Sequence, residues 1–302
     1  MHAVLALGAS HLSRLIPDGT EFARLSHMHQ NLAIRGFQRA LTKTPRVHGD
    51  LDALLGTCYA LVFQATHMND GLQDFWTMIR GCILIDHEIT KEQAETAFHF
   101  GDEWRKRLTE PWLDQIPPIY PSILQEGQKS FKALEPLVCS KTDARLYNVL
   151  LDTLDNMMTS TRSGFETFGS IYTCCYEIDY IEFQSFLEST NSVSMLLQGH
   201  YIALQILIAP VIELLTPGRD LRFAETIMGI TGWGQDIYEG LPEILKGHIK
   251  WPMKVLNGHR QALGCPQAAS SWPFLDVVKD NSNGTICSGA RPPSSSPQMQ
   301  AI

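Results

Sequence analysis

The residues best suited to chemistry in this chain are acids and histidines set three or four apart, the spacing that brings side chains together on one face of a helix. Asp152 and Asp155, in LLDTLDN, are one turn apart and are the residue types that hold magnesium against a diphosphate. Glu95, His99 and Glu103 repeat every four residues beside Asp102, as metal ligands on a helix would. A di-iron bundle needs two Glu-x-x-His units, however, and the chain contains none. That face therefore reads as an exposed acid–histidine surface. His27 and His29 are two apart and diverge on a helix, so no metal is assigned to them. Cys174 and Cys175 are adjacent, and read better as two small apolar residues of a packed helix than as a redox pair.

Other catalytic signatures are missing. There is no G-x-S-x-G turn, and Gly229, Gly232 and Gly234 have neither the spacing nor the preceding strand of a dinucleotide loop. No cofactor, metal site or catalytic residue is assigned, and the chain reads as a non-enzyme. The sharpest enzymatic alternative is a magnesium-dependent isoprenoid enzyme of the terpene cyclase type, resting on Asp152 and Asp155. It lacks the doubled aspartate and the second Asn/Ser/Glu motif of such enzymes. Two solvated acids opposite Leu150, Leu154 and Met157 is the plainer reading.

Charge and cysteines narrow the partners. The 302 residues carry 24 Lys and Arg against 32 Asp and Glu, a net charge of -8. Nucleic-acid affinity comes largely from clustered cations that neutralise phosphates, so direct DNA binding is not expected. The seven cysteines are scattered and odd in number, which suits a reducing compartment. None of them forms C-x2-C, so neither a zinc finger nor a binuclear zinc cluster can be built. The most apolar run, Tyr201 to Leu215, falls short of the ~20 residues of a membrane span and contains Gln205, Pro210 and Glu213. It reads as a buried core helix. The Asn283-Gly284-Thr285 sequon has no secretory leader to give it meaning.

Helical periodicity dominates, and the expected fold is all-α: one large multi-helix domain over 1–263 and a mostly disordered tail over 264–302. Val4, Leu5, Gly8, Leu12, Leu15 and Ile16 form a first stripe, closed by Pro17-Asp18-Gly19 and read as the first core element. Leu25, Met28, Leu32, Ile34, Phe37 and Leu41 form a second. Asp50 is the expected N-cap of a third helix, whose face is Leu51, Leu54, Leu55, Cys58, Leu61 and Val62. Leu72, Phe75, Trp76, Ile79, Cys82 and Ile83 follow. Pro111, Pro117, Pro118 and Pro121 mark a surface crossing near 109–121. Helices resume around Leu146 to Met157, Ile171 to Leu187, Val193 to Leu215 with a kink at Pro210, and Arg222 to Gly240, with a last one toward Trp251. The Pro-, Ser- and Gly-rich tail cannot offset the entropy of ordering, although Trp272, Phe274 and Leu275 offer a local anchor. Met157, Met158, Phe165, Phe168, Tyr172, Met195, Tyr201, Met228 and Trp233 supply large apolar groups for a core or for a hydrophobic pocket.

Three blocks taken together resemble the regulatory domain of fungal zinc-binuclear-cluster transcription factors. They are MHAVLALGASHL; HQNLAIRGFQRAL with DLDALLGTCYALVFQ; and HYIALQILIAPVIELL with GWGQDIYEGLP and IKWPMKVL. The subgroup most similar is that of the sterol uptake control proteins, although no ligand-contacting residue can be carried over. The resemblance implies a nuclear regulator of transcription, held in the cytoplasm until activated, that senses a hydrophobic ligand and works with the transcription machinery or a DNA-binding partner. It also allows a homodimer. Because Met1 opens directly onto an apolar helix with no cysteine cluster before it, the DNA-binding half is expected either to lie outside this sequence or to be absent, with the protein working through partners.

Overall fold

A computed structural model describes residues 1–43, 49–98, 116, 118–214, 223–263 and 274. Among them the only regular structure is helix, as the periodicity predicts. Helices α1 (His2–Leu15), α2 (Thr20–Leu41), α3 (Asp50–Thr66) and α4 (Leu72–Glu92) form the N-terminal part. Then come α5 (Pro121–Leu134), α6 (Lys141–Thr159), α7 (Thr161–Phe168), α8 (Ser170–Tyr176) and α9 (Tyr180–Leu187). Last are α10 (Ser192–Leu214), α11 (Phe223–Gly240), a 3-10 turn at Glu243–Ile249 and α12 (Lys250–Leu263). The disordered-tail expectation and most of the Pro-rich crossing lie outside the described residues, as do Trp272 and Leu275. Phe274 is described, and its carbonyl accepts a bond from the Tyr120 amide at 2.8 Å.

Local chemistry explains where the helices start. Ser140 Oγ accepts from the Asp143 amide at 2.9 Å and donates to its carboxylate at 2.6 Å, a reciprocal cap that fixes the first turn of α6. Ser160 caps α7 and Asp179 caps α9 with a single bond each, accepting the amides of Ser163 and Ile181. Pro121 opens α5, since its missing N–H is one of the donors a helix start leaves unbonded anyway. Proline content alone does not foresee this helix. Asp50 does not cap α3: Gly49 occupies that position at φ +85°, and Asp50 instead takes Lys43 Nζ at 2.9 Å.

The centre is α10, buried on all sides from Leu196 to Val211 and packed against α6, α7, α11 and α12. By length and composition α10 could cross a membrane, but 89% of that window is buried inside the protein, the pattern of a core helix. One hydrophobic core runs from Leu51 in α3 to Leu256 in α12. Two indoles tie distant segments to it. Trp233 Nε1 donates to the Met68 carbonyl at 2.9 Å, and Trp251 Nε1 to that of Ile123 at 2.8 Å.

The expected core faces of α3 and α6 are buried, and so are Phe75, Trp76 and Cys82 of α4. That of α1 is reversed. Ala3, Ala6, Ala9 and Ser10 turn inward, whereas Val4, Leu5, Leu12, Leu15 and Ile16 are all exposed, Val4 at 65%. Small residues let α1 lie close to α2 and α3, which leaves the larger side chains outside. Met28, Leu32 and Leu41 of α2 are exposed as well.

Candidate functional site

Among the described residues, none of the chemistry read from spacing assembles into a catalytic or metal site. Asp152 and Asp155 project from the exposed side of α6, and the Asp155 carboxylate accepts from Gln128 Nε2 at 2.6 Å. Leu150, Leu154 and Met157 are buried on the other side, so these acids are a solvated face. His99, Asp102 and Glu103 lie outside the described residues. Among the described residues no cluster of three metal-ligating side chains occurs. His27 and His29 do diverge: the His29 ring stacks on His2 with centroids 5.2 Å apart, while His27 faces a different cleft.

The adjacent cysteines and two of the α11 glycines have packing roles. Cys174 and Cys175 are buried, and burial pushes the Cys174 thiol up to about 11 and raises that of Cys175 further, so both stay protonated and unreactive. The hydrogen-bonded neighbour Cys58, with burial adding to it, likewise raises the Cys82 thiol. A Cβ at Gly229 would collide with the Thr66 carbonyl, and one at Gly234 with Leu256 Cδ1. These glycines let α11 approach α3 and α12 closely, which accounts for them without a phosphate loop.

The residues expected around a hydrophobic pocket mostly fill the core. Phe168, Tyr172 and Tyr201 contact one another with centroids 5.7–6.3 Å apart, and Trp76 sits 4.6 Å from Tyr201. The Tyr172 and Tyr201 hydroxyls meet at 3.2 Å. Burial raises the Tyr172 hydroxyl to about 12, so this buried pair stays neutral. Met158 is 40% exposed, and the side chain of Met228 lies outside the described set.

A cleft that the sequence did not announce opens where α1 and α2 meet the turn between α3 and α4. Its volume is about 380 Å³, within the range of small-molecule sites. Ser10, Ser13 and Arg14 line it from α1, Ser26 and His27 from α2, and His67, Asn69 and Asp70 from the turn. Arg14 Nε donates to the His67 carbonyl at 2.7 Å, fixing the guanidinium against the turn. Ser26 Oγ donates to the Ala6 carbonyl and receives Gln64 Nε2, both at 3.0 Å, which locks α1, α2 and α3 together behind the cleft. The turn is itself held to α11 through Trp233.

Ser10 Oγ lies 3.1 Å from His67 Nδ1, a contact that has the parts of a nucleophile and its base. The hydroxyl also donates to the Leu7 carbonyl at 2.8 Å. Burial, with Arg14 and His11 close by, holds His67 down at about 4 and hence neutral at physiological pH. A serine is activated only by a base that takes its proton, and the Leu7 carbonyl competes with His67 for it. Asp74 of α4, within electrostatic reach of Asp70 and His27 of the cleft, accepts from Gln30 Nε2 at 2.6 Å, and burial raises its carboxyl above the usual range. The cleft is polar and carries both charge signs, a surface for a polar ligand or peptide group and unlike a lipid cavity. Its residues come from positions 10–27 and 67–70, and no period in the sequence links the two stretches.

The two helices and the turn that line the cleft fall in the segment for which a known family is found. A family model for the fungal specific transcription factor domain matches residues 1–99. Comparison with curated proteins and with solved structures gives no match. The matched segment holds the first two of the three sequence blocks and ends before the third. The N-terminal 99 of 302 residues are thus similar to the fungal specific transcription factor domain, the family that the sequence blocks also resemble.

Proposed function

We propose that the chain is a non-enzymatic regulatory domain of a fungal zinc-cluster type transcription factor, one that receives a signal and passes it to the transcription machinery or to a DNA-binding partner. The observation that carries this reading is the family match over residues 1–99, which coincides with the packed unit α1–α4. The core shared by α3 through α12 supports taking 1–263 as one regulatory domain, of which that unit is the first part. The net charge of -8 supports action through a partner, because the chain offers DNA phosphates few cations for its many acids.

A signal changes such a domain only by binding one conformation better than another. For a hydrophobic ligand such as a sterol, this means opening the aromatic cluster around Tyr201, which is closed by its own side chains. Melting the purified chain with and without sterols tests that part: binding at a hundred times Kd stabilises by about 2.7 kcal/mol, and an unmoved melting temperature removes the lipid. The regulatory role is tested by following the tagged chain in fungal cells and measuring its affinity for DNA. Nuclear accumulation, at least on activation, with no DNA affinity of its own is expected. A chain that stays cytoplasmic under every condition counts against the role.

A further inference from the structure

His2 of α1 and His29 of α2 meet across the first two helices. Their Nδ1 atoms are 3.1 Å apart and their ring centroids 5.2 Å apart, so the two nitrogens lie on the facing edges of the rings. No spacing in the sequence pairs them, because they are 27 residues apart and on different helices. The helix faces that carry them are fixed nearby. Ser26 lies one turn before His29 and Ala6 one turn after His2, and Ser26 Oγ donates to the Ala6 carbonyl at 3.0 Å in a buried bond. Ala3 and Ala33 pack in the same small cluster beside the rings. His2 is exposed and His29 half-buried, so an ion can reach both from solvent.

Two imidazoles at this separation have the geometry of a chelate. Metal–nitrogen bonds of about 2.0–2.1 Å, meeting at angles between a right angle and the tetrahedral one, set ligand nitrogens about 2.8–3.4 Å apart. The separation of 3.1 Å falls inside that span. We infer that His2 and His29 bind a borderline divalent transition-metal ion such as Zn²⁺ through their Nδ1 atoms, with water completing the coordination shell. Without an ion, one ring donates its Nδ1–H to the Nδ1 of the other. On binding, that proton moves to Nε2 of its own ring, so both Nδ1 lone pairs face the ion and the neutral pair releases no net proton. Imidazole suits Zn²⁺, Cu²⁺ and Ni²⁺, whereas Mg²⁺ takes oxygen ligands. A bound ion ties the first turn of α1 to α2, the two helices that also line the polar cleft. The site does not depend on the regulatory role, and its failure would leave that role standing.

Calorimetric titration of the untagged full chain with Zn²⁺ at neutral pH tests this. Binding with a micromolar Kd is expected, and Mg²⁺ should give no binding heat. Loss of a mere hydrogen-bond partner of a metal ligand costs affinity about 10–100-fold, so losing a ligand, as in His2→Ala or His29→Ala, should weaken this site by at least about tenfold. Neither side chain is buried, so both variants should keep the far-ultraviolet spectrum of the wild type. His87→Ala, on the exposed side of α4, should bind Zn²⁺ as the wild type does. Melting gives a second reading: Zn²⁺ should raise the melting temperature of the wild type and of His87→Ala more than that of His2→Ala or His29→Ala. A wild-type chain that binds no Zn²⁺ overturns the site. So does an affinity that survives either substitution, because the ion is then held elsewhere.

Discussion

Single residues record how closely the helices approach. Gly229 and Gly232 sit one turn apart in α11 and face opposite environments: the first abuts the Thr66 carbonyl, the second has open space. Gly229→Ala should therefore cost about 1–3 kcal/mol, the usual range for overpacking against a site that cannot yield. Gly232→Ala should be neutral or stabilising by up to about 1 kcal/mol, the helix propensity gained. Chemical denaturation of the two variants checks the contrast, and equal effects would mean that α11 is not seated on α3. His200 supplies a second test. It is fully buried, receives the Ser130 hydroxyl at 2.8 Å, bonds the Leu196 carbonyl at 2.8 Å and faces Phe131 and Trp251. Burial, with His248 adding to it, holds its imidazole down at about 4. Because the folded value lies below the unfolded one, the stability it contributes is complete above about pH 6.5 and is lost as pH falls toward 4, on the order of 3 kcal/mol at most. Urea midpoints at pH 7, 6 and 5 should fall in the wild type and fall less steeply in His200→Gln.

At the scale of elements, periodicity located most helices and misjudged the faces of α1 and α2. The runs over α3, α6 and α10 were legible because their apolar residues are also their buried ones. In α1 the period was equally clear, but it says which side is apolar and not which side is buried, and close packing on α2 and α3 selected the alanines. Helix α5 was hidden because Pro121, counted as a breaker, is tolerated at the first helical position. The break between α8 and α9 depends on the Asp179 cap, a local bond with no periodic signal. Caps are nevertheless worth measurable energy. Ser140→Ala removes both halves of its reciprocal bond with Asp143 and should cost about 1 kcal/mol, read as a lower denaturation midpoint with little change in helix content. The cleft lies beyond any such reading, because Arg14 and His67 come together only when α1 packs beside the end of α3.

At the scale of the whole molecule, the acidic, all-helical chain has a main core from α3 to α12, a smaller cluster of Ala3, Ala33, Ala60 and Leu61 where α1, α2 and α3 meet, a polar cleft inside its family-matched segment and an apolar stripe on its first helix. The candidate enzymatic aspartates remain on the surface, and the helices that build the cleft are the ones that resemble a transcription factor domain. The most direct measurement of the proposed role is transcription from a reporter when the full chain is fused to an unrelated DNA-binding module. The regulatory account predicts that the fusion, compared with the module alone at equal nuclear abundance, raises or lowers reporter output severalfold. Output identical to that of the module alone, under every growth condition tried, would contradict it.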